Sequence, residues 1–475
     1  MSSPNARLST PAPIPTIGSN DQPSRSVGKI IAVAIALIAA VHFALFGYFL
    51  FRTAITSPIS DMFTYIADYL RFRAGEASWL DYLWQAHGEH HLVWIRLLTW
   101  ADVEIFRTRG IPFLAAATAA ITATAALIWW QLRRAEPRLG GTPYLSLLAP
   151  MLILSSANVT DCSVPINTTY PLTVFFLILA LVLFAGGPVS HTNPPYRRVV
   201  GILAAFCASL ATATGLLAWP ILVWIAWRER LPAAWPAALA GLGLIYILFY
   251  AHNLNFLGLA PALDKDVASF LSPAHLGKLL DYFFAFLGLP LTRSPHLALI
   301  GRGMGAALFL AGLSAVIVAT FTRRLSTPLD RIAIGMILLA FGAAALATVG
   351  RSDLIDEVKV PVRYTLFATS LHVGLLCLLL PRATRYFTSS RGHLLLCSAG
   401  LMFAVLLLIQ QVAVGRSAVQ IASAISHEAD CFAQGAHPGP VSEVVSRAPQ
   451  GAQQVLTALR EQGLLAPRAS DCTHL

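Results

Sequence analysis

The chain alternates long apolar runs with short polar punctuation. This pattern has neither the period of two of a half-buried strand nor the narrow 3.6-residue stripe of a surface helix. The runs cover residues 30–51, 112–130, 144–154, 172–185, 199–213, 216–227, 237–250, 297–320, 332–349, 364–380 and 393–411. Helices apolar all round must be buried or face lipid, so the pattern predicts an all-α, polytopic membrane protein with about eleven transmembrane helices. The first run, roughly 22 residues, is longer than a signal-peptide core of about 7–15 and no small-residue cleavage site follows, so it reads as an uncleaved membrane helix. Several other runs fall short of the roughly 20 residues a perpendicular span needs, which implies cavities or a thinned bilayer.

Arginines punctuate the runs in clusters: Arg133, Arg134 and Arg138; Arg197 and Arg198; Arg228 and Arg230; Arg323 and Arg324; Arg382 and Arg385. All fall on one side if the N-terminus is cytoplasmic, as the positive-inside rule expects. Residues 199–227 carry Arg pairs at both ends, so they cross an even number of times and bend near residues 215–220, where Gly215 and Pro220 permit a break. Residues 1–28, rich in Ser, Pro and Asn, read as a disordered cytoplasmic tail. Residues 29–411 then form the membrane domain, residues 53–110 a first outer loop and residues 412–475 a small extracytoplasmic tail. The segments 155–170, 251–296 and 350–363 also fall outside.

Composition agrees, because 56% hydrophobic and 12% charged residues exceed what soluble cores can bury. The net charge of +10 sits in clusters between apolar runs rather than along one face, so it marks topology and anionic lipid, not nucleic acid. Chain segments with a P-loop or a dinucleotide-binding fingerprint do not occur, which argues against a nucleotide-driven pump. Cys431 and Cys472 in the tail either pair in an oxidising compartment or stay as two thiols.

Residues 57–106 concentrate charge and aromatics, with apolar positions at helical spacing through Phe63, Ile66 and Leu70 and again through Leu92, Ile95 and Leu98. Interfacial helices are expected there. Asp61 stands one to two turns past the first membrane helix, as a general base at the membrane surface or as a helix N-cap. His87, Glu89, His90 and His91 can bind a divalent metal or form a hydrogen-bonded polar face; their order is not that of a zinc protease, and no cofactor is required. Arg351, Lys359 and Arg363 with Tyr364 can clamp a phosphate at the bilayer surface or pair with Asp353, Asp356 and Glu357. Residues 264–296 contain an amphipathic helix with Lys278 and Asp281, expected to dip into the outer interface. His42 and His372, within membrane runs, are functional or hydrogen-bonded packing residues.

The order of these features resembles the GT-C superfamily of membrane glycosyltransferases, in particular bacterial enzymes that use polyprenyl-phosphate-linked sugars. The resemblance rests on Asp61 in the first outer loop, on QAHGEHHLVWIRLL around Glu89, SLATATGLLAWP around Gly215, YFFAFLGLP around Phe284, and a late basic loop ending in RYTLF at Arg363. Asp61 stands alone between Ser60 and Met62, without the paired acids of some members. The resemblance implies inverting transfer, at the outer face of a bacterial inner membrane, of a sugar to a glycan, lipid or protein hydroxyl. Asp61 would be the base; Arg351, Lys359, Arg363, Tyr364, Glu89, His90 and Arg96 would bind substrate and lipid phosphate. A secondary transporter and a non-catalytic envelope-assembly subunit are the alternatives.

Overall fold

A computed structural model describes residues 22–87, 90–135, 143–185, 195–252, 272–290, 298–322, 327–350, 360–387, 389–434, 451–467 and 472. Its elements are helices, and among the described residues no strand occurs beyond one bridge between His87 and His90. Helix α1 (Gln22–Thr53) leads to a layer of three helices, α2 (Met62–Arg73), α3 (Trp79–Trp84) and α4 (Val93–Glu104), and the chain returns through α5 (Ile111–Ala135). Short helices α6 (Leu148–Ile153) and α7 (Val159–Ser163) precede α8 (Thr169–Ala185), α9 (Pro195–Ser209), α10 (Ala218–Arg228) and α11 (Ala234–His252). The amphipathic α12 (Pro273–Gly288) packs on α13 (Ala298–Phe321), which is followed by α14 (Pro328–Gly350), α15 (Thr365–Tyr386), α16 (Ser390–Ala433) and α17 (Ala452–Glu461). Helix α1 starts at Gln22, earlier than the expected end of the tail; residues 1–21 lie outside the described residues.

Nine helical stretches among the described residues are long and apolar enough to cross a bilayer, with Ala213–Arg228 as a shorter apolar piece. The chain is therefore a multi-pass, all-helical membrane protein. The gap to the expected eleven lies at residues 199–227, where α9 has 15 residues and ends at a break before a 3-10 turn, Ala213–Leu217. Gly215 makes that break possible: a Cβ there would stand 2.0 Å from the Ala208 carbonyl oxygen.

Residues 144–170 differ from expectation more deeply. Instead of a short span and an outer loop, the chain passes through α6, a 3-10 turn at Ser156–Asn158, α7, a second 3-10 turn at Pro165–Thr168 and α8, with Asn158, Asp161, Thr168 and Thr169 buried. A helix broken inside a bilayer must find partners for its freed backbone groups. His42 Nε2 lies 2.9 Å from the Met151 carbonyl and 3.0 Å from that of Leu154. Asn158 Nδ2 donates to the Ile153 carbonyl at 2.9 Å, and the Ser156 N–H donates to Gln411 Oε1 at 2.6 Å. Thus α1 and α16 fasten the broken stretch, and His42 has the hydrogen-bonded packing role. His372 likewise bonds one turn back, Nδ1 to the Ala368 carbonyl at 3.0 Å.

Polar groups gather at both ends of the bundle. At one end Arg331 meets Glu229 at 2.8 Å and donates to the Ala185 carbonyl at 2.9 Å, while Arg382 meets Asp330 at 2.7 Å. At the other, the start of α15 meets the start of α8 through Tyr364 and Tyr170, whose ring centroids are 6.0 Å apart. Arg363 and Arg382 are 19 positions apart along helical chain, about 28 Å at 1.5 Å per residue, which matches the roughly 30 Å hydrocarbon layer.

The segment expected as a loose tail is built into the fold. Helix α16 runs 44 residues, about 66 Å, well beyond one span. Its far end meets the first loop layer through Phe63 and Phe432 at 5.9 Å and through a hydrogen bond from Ser57 to Asp430. A disulfide between Cys431 and Cys472 ties the C-terminal segment there, and α17 packs on α2.

The break at residues 210–217 gives a test. Replacing Gly215 by Ala is expected to lower the unfolding temperature in detergent, costing about 1–3 kcal/mol as an overpacked site. Gly241, whose Cβ would meet nothing within 4 Å, serves as the control and tolerates Ala without loss.

Candidate active site at the Asp61 end of the bundle

The loop from α1 to α2 reaches Asp61 through a strained residue. Ser60 has φ 48°, the left-handed region that residues with a Cβ seldom occupy, and it turns the chain into α2. Asp61 takes the N-cap position, yet its backbone is already helical and its carboxylate makes no capping hydrogen bond. The side chain is 51% exposed and faces His87 instead, with His87 Nε2 3.6 Å from Oδ2. That polar contact with His87 comes first in holding the Asp61 pKa below its ordinary value; burial opposes it, and the Arg363 charge adds to it. Asp61 is thus an ionised, solvent-reached carboxylate at neutral pH.

His87 is held by backbone as well as by its ring. Its N–H donates to the His90 carbonyl at 2.8 Å, and its carbonyl accepts from the His90 N–H at 3.1 Å. The imidazole packs 4.9 Å from the Tyr65 ring, one helical turn beyond Asp61 on the same face of α2. Tyr65 is fully buried. The charges of Asp61 and Arg96 and the phenol of Tyr170 all act on its hydroxyl. Tyr65 and Tyr170 were not singled out by the sequence; the four-residue spacing from Asp61 is the signal that points to Tyr65.

From the bundle side come Arg363 and Tyr364, in the 3-10 turn Val362–Tyr364 that opens α15. The Arg363 guanidinium carbon lies 5.6 Å from the Tyr364 ring, and Tyr364 stacks on Phe286 at 5.6 Å. The Arg363 charge helps to lower the Asp61 pKa, so two residues some 300 positions apart in sequence interact electrostatically. Arg351, Lys359 and Glu89 lie outside the described residues.

The remaining expected site residues are placed elsewhere. Arg96, expected at the substrate, is fully buried: it donates to Asp68 Oδ2 at 3.0 Å and to the Gln85 carbonyl at 3.2 Å, between the rings of Tyr65 and Tyr82 at 5.4 Å each. A guanidinium so enclosed braces the loop layer. His90 accepts from the Ala213 N–H at 3.4 Å. His91 is buried, stacked on Trp84 at 4.5 Å, with Nδ1 2.6 Å from the Trp84 carbonyl. His87, His90 and His91 therefore face three different partners, and among the described residues no three His, Cys, Asp or Glu side chains converge as a metal site would require. In α12, Asp281 pairs with Arg302 at 3.1 Å.

A cleft of about 440 Å³ opens along α2 beyond Asp61, lined by Asp68, Arg71, Glu76, Asp81, Trp84 and Gln85 among others. It contains neither Asp61 nor Arg363, so the chemistry rather than the cavity marks the site. An ionised, half-exposed carboxylate, with a guanidinium whose charge acts on it, can accept a proton while a neighbouring negative charge is neutralised. Comparison with protein-family models, with curated proteins and with solved structures finds no match.

Two outcomes test this arrangement. Arg96→Ala removes the one buried cation on the Asp68 carboxylate, leaving it Gln85 and the exposed Arg71, and is expected to cost about 3 kcal/mol, read as a large drop in unfolding temperature; Lys, lacking the forked donors, restores little of it. His91 has its pKa lowered, first by burial, so the unfolded chain binds protons that the folded chain refuses. Its contribution is intact above about 6.5 and is lost as pH falls below that value. The difference in unfolding temperature between pH 7.5 and 5 should accordingly shrink in His91→Phe, which keeps a ring on Trp84.

Proposed function

We propose that the chain is a GT-C-like glycosyltransferase that moves a sugar from a polyprenyl-phosphate-linked donor to an acceptor hydroxyl. The observation that carries the reading is that the Arg363 charge acts on the Asp61 carboxylate, which links a candidate base electrostatically to a candidate phosphate-binding cation from the opposite half of the chain. Asp61 takes the proton of the acceptor O–H as its oxygen attacks the anomeric carbon. The bond from that carbon to the phosphate oxygen breaks, and the electron pair leaves with the lipid phosphate. Arg363, with Lys359 and Arg351 from the same segment, neutralises the charge gathered there. One displacement inverts the anomeric configuration. Phosphate is a good leaving group, so positioning and electrostatics carry most of the catalysis.

In this reading the site faces the outside of a bacterial inner membrane and the N-terminus is cytoplasmic. Support comes from the arginines at the far end of the bundle, on the side the positive-inside rule assigns to the cytoplasm. The Cys431–Cys472 bond, on the same end as Asp61, suits an oxidising compartment. The partners are the lipid-linked sugar, an acceptor glycan, lipid or protein, and the bilayer itself. A secondary transporter is the second reading, favoured by the broken stretch at residues 144–163, since interrupted helices line substrate sites in that class.

The test is sugar transfer from a panel of polyprenyl-phosphate-linked donors by the full chain in proteoliposomes. Asp61→Asn is expected to lower turnover by about 10²–10⁴-fold, the usual worth of a general base, without lowering the unfolding temperature. Arg363→Gln is expected to raise the apparent KM for the lipid donor and to lower kcat/KM by about 10²-fold, as for a lost electrostatic stabiliser. Full transfer by Asp61→Asn removes the assignment; transport of solute by the wild type without sugar transfer selects the second reading.

A further inference from the structure

Tyr65 presents a contradiction that a purely structural role does not resolve. It is fully buried, and its hydroxyl has no hydrogen-bond partner among the described residues. Its ring is well used: the Arg96 guanidinium lies over it at 5.4 Å and the His87 imidazole packs against it at 4.9 Å. Neither contact needs the oxygen. A phenylalanine would satisfy both and would spare the protein a buried hydroxyl without a partner, which is a standing cost.

The location of the oxygen says what it is for. Asp61 and Tyr65 are four residues apart at the start of α2 and so share a face, and His87 touches both, ring on ring at Tyr65 and Nε2 to carboxylate at Asp61. Asp61, Asp68 and Tyr170 all act on the Tyr65 hydroxyl. Burial first, and then the Asp61 charge, raises its pKa, so the phenol stays protonated and acts as a donor. The Asp61 charge acts on that hydroxyl more strongly than the opposing Arg96 charge does, which disfavours a phosphate oxygen there. A neutral alcohol fits: it can accept a hydrogen bond from Tyr65 and donate its own proton to Asp61.

We propose that Tyr65 and Asp61 form a two-point clamp for the attacking hydroxyl, with Tyr65 as a positioning residue that fixes an uncharged alcohol of the acceptor, while the anionic end of the donor lies toward Arg363. The inference rests on Asp61 being the base of a glycosyl transfer. It divides the site by charge, with an alcohol subsite against α2 and a phosphate subsite against the start of α15. The hydroxyl of Tyr65 then gains its partner only when acceptor is bound.

Tyr65→Phe in the full chain separates the outcomes, because it removes one oxygen and keeps every ring contact. Two readings are taken, the unfolding temperature in detergent without ligand and the kinetics of sugar transfer in proteoliposomes with a polyprenyl-phosphate-linked donor. The clamp predicts an unfolding temperature unchanged or raised, a fall of about tenfold in kcat/KM for the acceptor as one hydrogen bond is lost, and an unchanged KM for the donor. Undiminished transfer overturns the clamp, and so does a lowered unfolding temperature, which would mean that the hydroxyl has a structural partner. Wild-type protein that transfers no sugar from any donor removes the transferase reading, and the clamp falls with it.

Discussion

The Arg96–Asp68 pair is the contact on which the candidate site depends. It joins α4 to α2 inside the loop layer, with both charges out of water and the guanidinium held between two tyrosine rings. Its second arm bonds the Gln85 carbonyl, which pins the chain after α3 against α2. His87, two residues further on, is thereby delivered to Asp61 rather than to solvent. A buried ion pair is weak as a source of stability and strong as a fixer of geometry, and Arg71 and Gln85 also donate to the Asp68 carboxylate. The position of the Asp61 carboxylate therefore follows from residues that no substrate touches.

A second constraint comes from the bilayer. Backbone groups freed where a helix breaks must be answered from within the protein, and His42, Asn158 and Gln411 do this for the interrupted stretch before α8. That stretch sets the start of α8, and so the place of Tyr170 beside Tyr364. The site thus sits on helix ends fixed from two directions, by the ion pair in the loop layer and by the polar staples in the membrane. The C-terminal segment adds a third hold, since α16 rises out of the bundle and brings α17 and the disulfide onto the helix that begins at Asp61.

Much of this was legible in the sequence, for reasons that differ from residue to residue. Long apolar runs state their environment by length alone, so most candidate spans are legible, and among the described residues Arg198 and Arg331 meet on Glu229 while Arg382 pairs with the adjacent Asp330. The segment 155–170 reads as a loop because the partners that satisfy its polar side chains lie far off in sequence, as the Phe113 carbonyl does for Thr168 and Thr369 does for Asn158. Arg96 was misjudged for the opposite reason: a charged residue in a polar loop reads as exposed until its buried carboxylate is known. Tyr65 is invisible to composition, since a tyrosine at helical spacing is more often packing than chemistry; its four-residue spacing from Asp61 is the one sequence signal, and the orphaned hydroxyl gives that signal its meaning. The C-terminal tail carried one clue, its two cysteines, without any indication of where they would be anchored.

The central claim is that Asp61 and Arg363 occupy one site on one side of the membrane. The most direct measurement replaces both by cysteine in a chain whose free cysteines, Cys162, Cys207, Cys377 and Cys397, have been removed. A short bifunctional thiol reagent is then applied to native membranes, followed by proteolytic cleavage between the two positions. The account predicts that the fragments stay linked and that both thiols react with a membrane-impermeant maleimide from the same side. Fragments that separate, or thiols that label from opposite faces, would contradict it.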